Sequence, residues 1–136
     1  MNNFISLFNN LNSKFMDNFN KNVNNLNNIS KDEKNYLNII YKLKKTTLTK
    51  FAEFAEVTKP AATQIINKFI NKGYVTKNIS KEDKRIYYVE LTEEIKKHFI
   101  EGYKNFNKMI NECLSFLTEE EVEQFNNLLL KINENL

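Results

Sequence analysis

Apolar residues in the first part of the chain fall at Phe4, Phe8, Leu11, Phe15, Phe19, Val23 and Leu26, in steps of three or four with Asn and Lys between them. That period lines one face of a helix, so a long amphipathic helix is predicted. Asparagine competes for backbone hydrogen bonds and forms helices poorly, so this helix should depend on packing against something else. The Asn richness could instead mark a disordered tract, but the regular aromatic spacing argues for the helix. "SKDE" at Ser30 to Glu33 has capping-box spacing and starts a second helix. Tyr36, Leu37, Ile40 and Leu43 face inward there, and Lys42, Lys44 and Lys45 suit its C-terminal end.

Thr49 is placed to cap a short helix that buries Phe51, Ala52, Phe54 and Ala55 and is closed by Val57. Thr58 starts the next helix, with Pro60 in the first turn, where a missing N–H costs nothing. This helix buries Ala62, Ile65, Ile66, Phe69 and Ile70 and stops at Gly73, the residue type that accepts a left-handed C′ position. Two helices joined by so short a turn predict a helix-turn-helix. From Tyr74 the period becomes two: "YVTKNI" and "IYYVEL" flank a charged tip and predict an antiparallel hairpin with Tyr87, Val89 and Leu91 on its inner face. Thr92, followed by Glu93 and Glu94, is placed to cap a long helix with Phe99, Tyr103, Phe106, Met109, Ile110, Cys113, Leu114 and Leu117 apolar. "TEEE" at Thr118 to Glu121 opens a last helix carrying Val122, Phe125, Leu128, Leu129, Ile132 and Leu136. The chain ends thus supply three apolar stripes, more than one small core can cover, which predicts self-association.

Composition narrows the function classes. A chain of 136 residues fits one ordinary domain, and only two glycines and one proline favour long helices. The net charge of +3 is uninformative, but residues 42–91 hold eleven Lys or Arg against five Asp or Glu, so the middle is basic and the flanks acidic. A single cysteine and a single histidine exclude an intrachain disulfide and a His/Cys metal cluster. There is no nucleophile–base pair and no Gly-rich phosphate loop, so the expectation is not an enzyme, with no cofactor. Without a basic leader or an apolar run near the ~20 residues of a membrane span, a cytoplasmic protein with no membrane partner is expected. Cys113 lies on an apolar stripe beside Asn111 and Glu112, which offer no positive charge to activate a thiol, so it reads as a buried structural thiol and not a redox sensor. His98, beside Lys96 and Lys97, reads as a solvated surface residue, and Gly102 as a bend or close helix contact.

The order helix, helix, short strand, helix, helix, hairpin, long helix, helix resembles the MarR family of winged-helix transcriptional regulators. "LTKFAEFAEVTKPAATQIINKFINKGYV" is similar to the family's helix-turn-helix. "EDKR", then five residues, then "LT", is similar to its wing signature, here Asp83, Arg85, Leu91 and Thr92. The family often has a glycine shortly after the Leu-Thr, where this chain has "EEI". The resemblance implies a mainly α fold with a small β-hairpin (α+β), a winged helix-turn-helix flanked by dimerisation helices. Residues 1–136 would form a single MarR-like domain, with 30–92 the DNA-binding lobe and 1–29 and 93–136 the helical dimerisation region. It further implies a homodimer on double-stranded DNA, a repressor at a pseudo-palindromic operator, relieved by a small-molecule effector or by oxidation of a cysteine.

Recognition helices read base edges from the solvent side of their first turns. The candidates are Thr58, Lys59, Pro60, Ala61, Thr63, Gln64 and Lys68, with Asn67 at the margin. Gln64 suits a bidentate contact to adenine, Lys59 guanine or phosphate, and Pro60 and Ala61 a thymine methyl. On the wing, Arg85 would enter a minor groove, Asp83 would brace it, and Lys77, Lys81 and Lys84 would meet phosphates. The alternatives are an ordinary solvated helix face and a surface ion pair, or a winged-helix protein-interaction module without specific DNA binding.

Overall fold

A computed structural model describes residues 2–23 and 29–136. Leu26 of the first apolar stripe lies outside the described residues, as does the side chain of Val23. The element order is α1 (Asn2–Val23), α2 (Lys31–Leu43), β1 (Lys45–Thr47), α3 (Leu48–Phe54), α4 (Lys59–Asn71), β2 (Val75–Ile79), β3 (Tyr87–Leu91), α5 (Glu93–Leu114) and α6 (Glu119–Asn133). The fold is mainly helical with one small antiparallel sheet. The chain divides into two compact units, residues 20–102 and residues 1–19 with 103–136.

In the first unit the sheet runs β1-β3-β2, with Thr46 opposite Val89 and Val75 opposite Leu91. Inward residues of β3, Val89 and Leu91, pack with Leu37 and Ile40 of α2, Phe51 and Ala52 of α3, and Ala62, Ile66 and Phe69 of α4, all buried. Tyr41 stacks on Phe99 at 5.2 Å between centroids. The Ser30 capping box is formed on both sides.

Three local expectations are corrected. The cap of α3 is Thr47, whose Oγ1 accepts from Lys50 N at 3.3 Å, and Thr49 lies inside the helix. Pairing of Thr47 with Tyr88 fixes it in extended conformation, the geometry an N-cap needs, so the strand hands over directly to the helix. Phe54 is 59% exposed. With Phe51 and Ala52 defining the buried face, 100° per residue turns Phe54 away from it. The Thr92 carbonyl accepts the first helical bond from Lys96, but its hydroxyl does not cap α5. It donates instead to the carbonyls of Gly73 (3.2 Å) and Tyr74 (3.3 Å).

The two helices of the helix-turn-helix end alike. Val57 N donates to Ala52 O and Glu56 N to Glu53 O after α3, and Tyr74 N to Phe69 O and Gly73 N to Ile70 O after α4. Each is a Schellman closure with a left-handed C′ residue. That residue is Gly73 (φ 73°) in one and Glu56 (φ 54°) in the other.

In the second unit Phe15 meets Phe106 edge-on at 5.5 Å, and Phe19 meets Tyr103 at 4.9 Å, joining α1 to α5. The Thr118 capping box opens α6 with both hydrogen bonds made. No residue of α6 is buried: Phe125, Leu128, Leu129 and Ile132 stay exposed, as do Phe4, Leu7 and Phe8 of α1. Cys113 is half-buried rather than enclosed, while Gly102, the last residue of the first unit, is buried.

Candidate nucleic-acid interface

Helix α4 starts from Thr58, whose Oγ1 accepts from Ala61 N at 3.3 Å. Pro60 occupies the first turn, where no helical N–H is lost. Burial of Ala62, Ile66 and Phe69 leaves the opposite side of the helix in solvent. Thr58, Lys59, Pro60, Gln64, Asn67 and Lys68 are exposed there, and Ala61 and Thr63 half-buried. The Thr63 hydroxyl donates to Lys59 O at 2.9 Å, so it offers outward only its methyl and lone pairs. Lys59 makes no ion pair among the described residues.

The wing tip is ordered by its own side chains. Ser80 Oγ accepts from the N–H groups of Glu82 (3.2 Å) and Asp83 (3.3 Å), and Ser80 N donates to Ile86 O at 2.9 Å. Asp83 then takes both the backbone and the side chain of Arg85. Its Oδ1 accepts from Arg85 N (3.0 Å) and Nε (3.1 Å), and its Oδ2 from Nη2 (3.1 Å). The Arg85 guanidinium, and then its backbone N–H, hold the Asp83 carboxyl below its usual range, and Asp83 raises the Arg85 pKa in turn. The Arg85 side chain remains 90% exposed, a preset cation projecting from the hairpin. Lys77 lies 4.0 Å over the Tyr87 ring, while Lys81 and Lys84 are exposed without an ion pair among the described residues.

At the other end of α4, Lys68 and Lys72 converge on one buried carboxylate, Glu33 of α2. Its Oε2 accepts from Ser30 N, and its Oε1 from Lys72 Nζ at 3.1 Å and from Lys68 Nζ. Burial pushes the Glu33 carboxyl up, but Lys68, the Ser30 N–H and Lys72 together outweigh it and bring its pKa from 4.5 down to about 2. The sequence shows Glu33 only as a capping-box residue; nothing in the spacing announces partners on α4.

Residues 29–87, the second helix through the start of the last strand, match the family model described as MarR family. Over that stretch the chain is similar to the MarR family. Its sequence is similar to YwaE, an HTH-type transcriptional regulator of Bacillus subtilis, at 29% identity over 80 residues. That match covers 59% of this chain and 47% of the relative, so the aligned part spans about half of the relative's length. The fold is shared with Streptococcus pneumoniae FabT, solved in complex with DNA: TM-score 0.73, 21% identity, 98% of this chain and 92% of that one. MepR of S. aureus, solved with ethidium bromide, superposes with TM-score 0.73 at 19% identity, covering 97% and 95%. Among the described residues, no His, Cys, Asp or Glu cluster could hold a metal, and no helix is long and apolar enough to cross a membrane.

Proposed function

We propose that this chain is a MarR-family, sequence-specific regulator of transcription that binds double-stranded DNA as a homodimer. One observation carries the reading. A recognition helix with its first turns in solvent stands in the same compact unit as a hairpin whose tip arginine is pre-ordered by Asp83. Thr58, Lys59, Pro60, Ala61, Thr63 and Gln64 would meet the major groove, and Arg85 a minor groove, where narrow A·T-rich stretches concentrate negative potential. Lys77, Lys81 and Lys84 would meet phosphates, while Lys68 stands at the edge of this surface with its ammonium on Glu33. The exposed apolar rows of α1 and α6 are what a second copy would cover, which favours assigning 1–29 and 93–136 to dimerisation and 30–92 to the DNA lobe. Two recognition helices would then enter successive major grooves about 34 Å apart on a pseudo-palindromic operator. Repression relieved by a small organic effector is the mode we favour, since MepR, which shares the fold, was solved with ethidium bromide.

Selection of bound fragments from a random-sequence duplex library, followed by footprinting, tests this. The expected product is an inverted repeat with half-sites one helical turn apart, bound with an affinity that falls steeply as salt rises. Absence of enrichment, or salt-insensitive binding to a protein partner instead, would overturn it. Arg85→Ala should weaken operator binding about tenfold, the order of one lost groove contact, while leaving the oligomeric state unchanged.

A further inference from the structure

The carboxylate of Glu33 is the one buried acidic group among the described residues, and its place in the fold is not accounted for by helix capping alone. A capping box uses one oxygen, and Oε2 makes that bond to Ser30 N. The other oxygen, Oε1, receives two ammonium groups from a different helix. Lys68 and Lys72 are four residues apart and so stack on one face of α4, continuing the row that begins at Gln64. Without a counter-charge those two lysines would repel each other. With it, the C-terminal half of α4 is drawn onto the start of α2, and Lys72 is further seated 5.6 Å from the Tyr74 ring centre. The recognition helix thereby has a fastened half, near Lys68 and Lys72, and a reading half, from Thr58 to Gln64.

We propose that Glu33 is a positioning residue for DNA recognition: it fastens α4 through Lys68 and Lys72, and by pairing Lys68 it withholds that charge from DNA phosphates. The inference rests on the DNA-binding reading above. Its consequence is selectivity. A lysine free to meet any phosphate adds affinity for every sequence, whereas a fixed helix adds affinity only where base edges match. Glu33 therefore lowers non-specific binding and raises specific binding together.

Glu33→Gln tests this, because glutamine still serves at N3 of a capping box and the variant loses only the charge. Binding is measured for the duplex selected by the wild-type protein and for a scrambled duplex of equal length, across a salt series. The variant is expected to bind the scrambled duplex about threefold tighter, with a salt slope steeper by about one, and the selected duplex about threefold more weakly. Adding Lys68→Met to Glu33→Gln should return the scrambled-duplex slope to the wild-type value. Equal changes on both duplexes, or none, would overturn the proposal, since loss of folded protein alone moves both affinities by one factor. Should Glu33→Gln fail to fold, Lys72→Met removes one strut and leaves the carboxylate on Lys68; the ratio of specific to non-specific affinity should then fall at least twofold, and an unchanged ratio would overturn the proposal. Failure of the wild-type protein to select any duplex would remove the DNA-binding reading itself, whereas selection by the wild type with an unchanged ratio in the variants would remove this inference alone.

Discussion

Glu56 and Gly73 occupy equivalent positions in two Schellman closures, and exchanging their residue types should move stability in opposite directions. At φ 54° the Cβ of Glu56 lies in the left-handed region, which costs a non-glycine residue roughly 1–2 kcal/mol. Glycine relieves that strain but loses about 0.4–1 kcal/mol through the greater freedom of the unfolded chain. Glu56 is exposed, makes no ion pair among the described residues, and sets a negative charge at the negative end of α3, worth a few tenths more. Glu56→Gly is therefore expected to stabilise the protein by about 1 kcal/mol, or roughly 3–5 °C in melting temperature. Gly73→Ala should cost about the same, and for the backbone alone: a Cβ built at Gly73 has no neighbour within 4 Å. Urea titrations of the two variants and the wild type, followed by circular dichroism, check both values. A neutral or destabilising Glu56→Gly beside a destabilising Gly73→Ala would refute the reasoning, because it would mean that Glu56 gains from its side chain what its backbone loses.

Further expectations follow from single interactions. Because folding lowers the Glu33 pKa from 4.5 to about 2, its stabilisation is fully present above about pH 4.5 and is lost as pH falls toward 2. The stability gap between wild type and Glu33→Gln should be about 2 kcal/mol at pH 6, allowing for the solvent that reaches Lys68, and should close by pH 2; a pH-independent gap would contradict the assignment. Thr92→Val removes a hydroxyl bonded to the Gly73 and Tyr74 carbonyls and should cost about 1 kcal/mol in urea unfolding. Leu129→Asp places a charge on the exposed apolar row of α6 and should shift sedimentation equilibrium toward monomer by at least tenfold in dissociation constant; unchanged association would move the interface elsewhere.

The parts of the fold that were legible in the sequence are those in which one residue's neighbours along the chain decide its role. Both capping boxes, the Pro60 helix start, the Gly73 stop and the change of period at Tyr74 are local signals, and each has its element in the structure. Where a distant partner competes, local reading fails. Thr47 caps α3 in place of Thr49 because β3, some forty residues on, holds it extended. The Thr92 hydroxyl is drawn from α5 by carbonyls freed at the end of α4. At the candidate site, exposure of the first turns of α4 was readable from its apolar period. The pairing of Lys68 and Lys72 with Glu33 was not, because it depends on how α2 crosses α4. Glu56 carries no signal either, since its left-handed backbone is imposed by the closure around it.

The hairpin is fastened twice, at its base by Thr92 N to Tyr74 O (3.0 Å) and near its tip by Ser80 N to Ile86 O (2.9 Å). Everything from Lys81 to Arg85 therefore hangs beyond the second fastening, and none of these residues is buried. Such a segment can be lengthened, shortened or transplanted from another wing without disturbing the packed lobe beneath it. Change of target can thus proceed by exchange of a short cassette while the scaffold that presents it stays as it is.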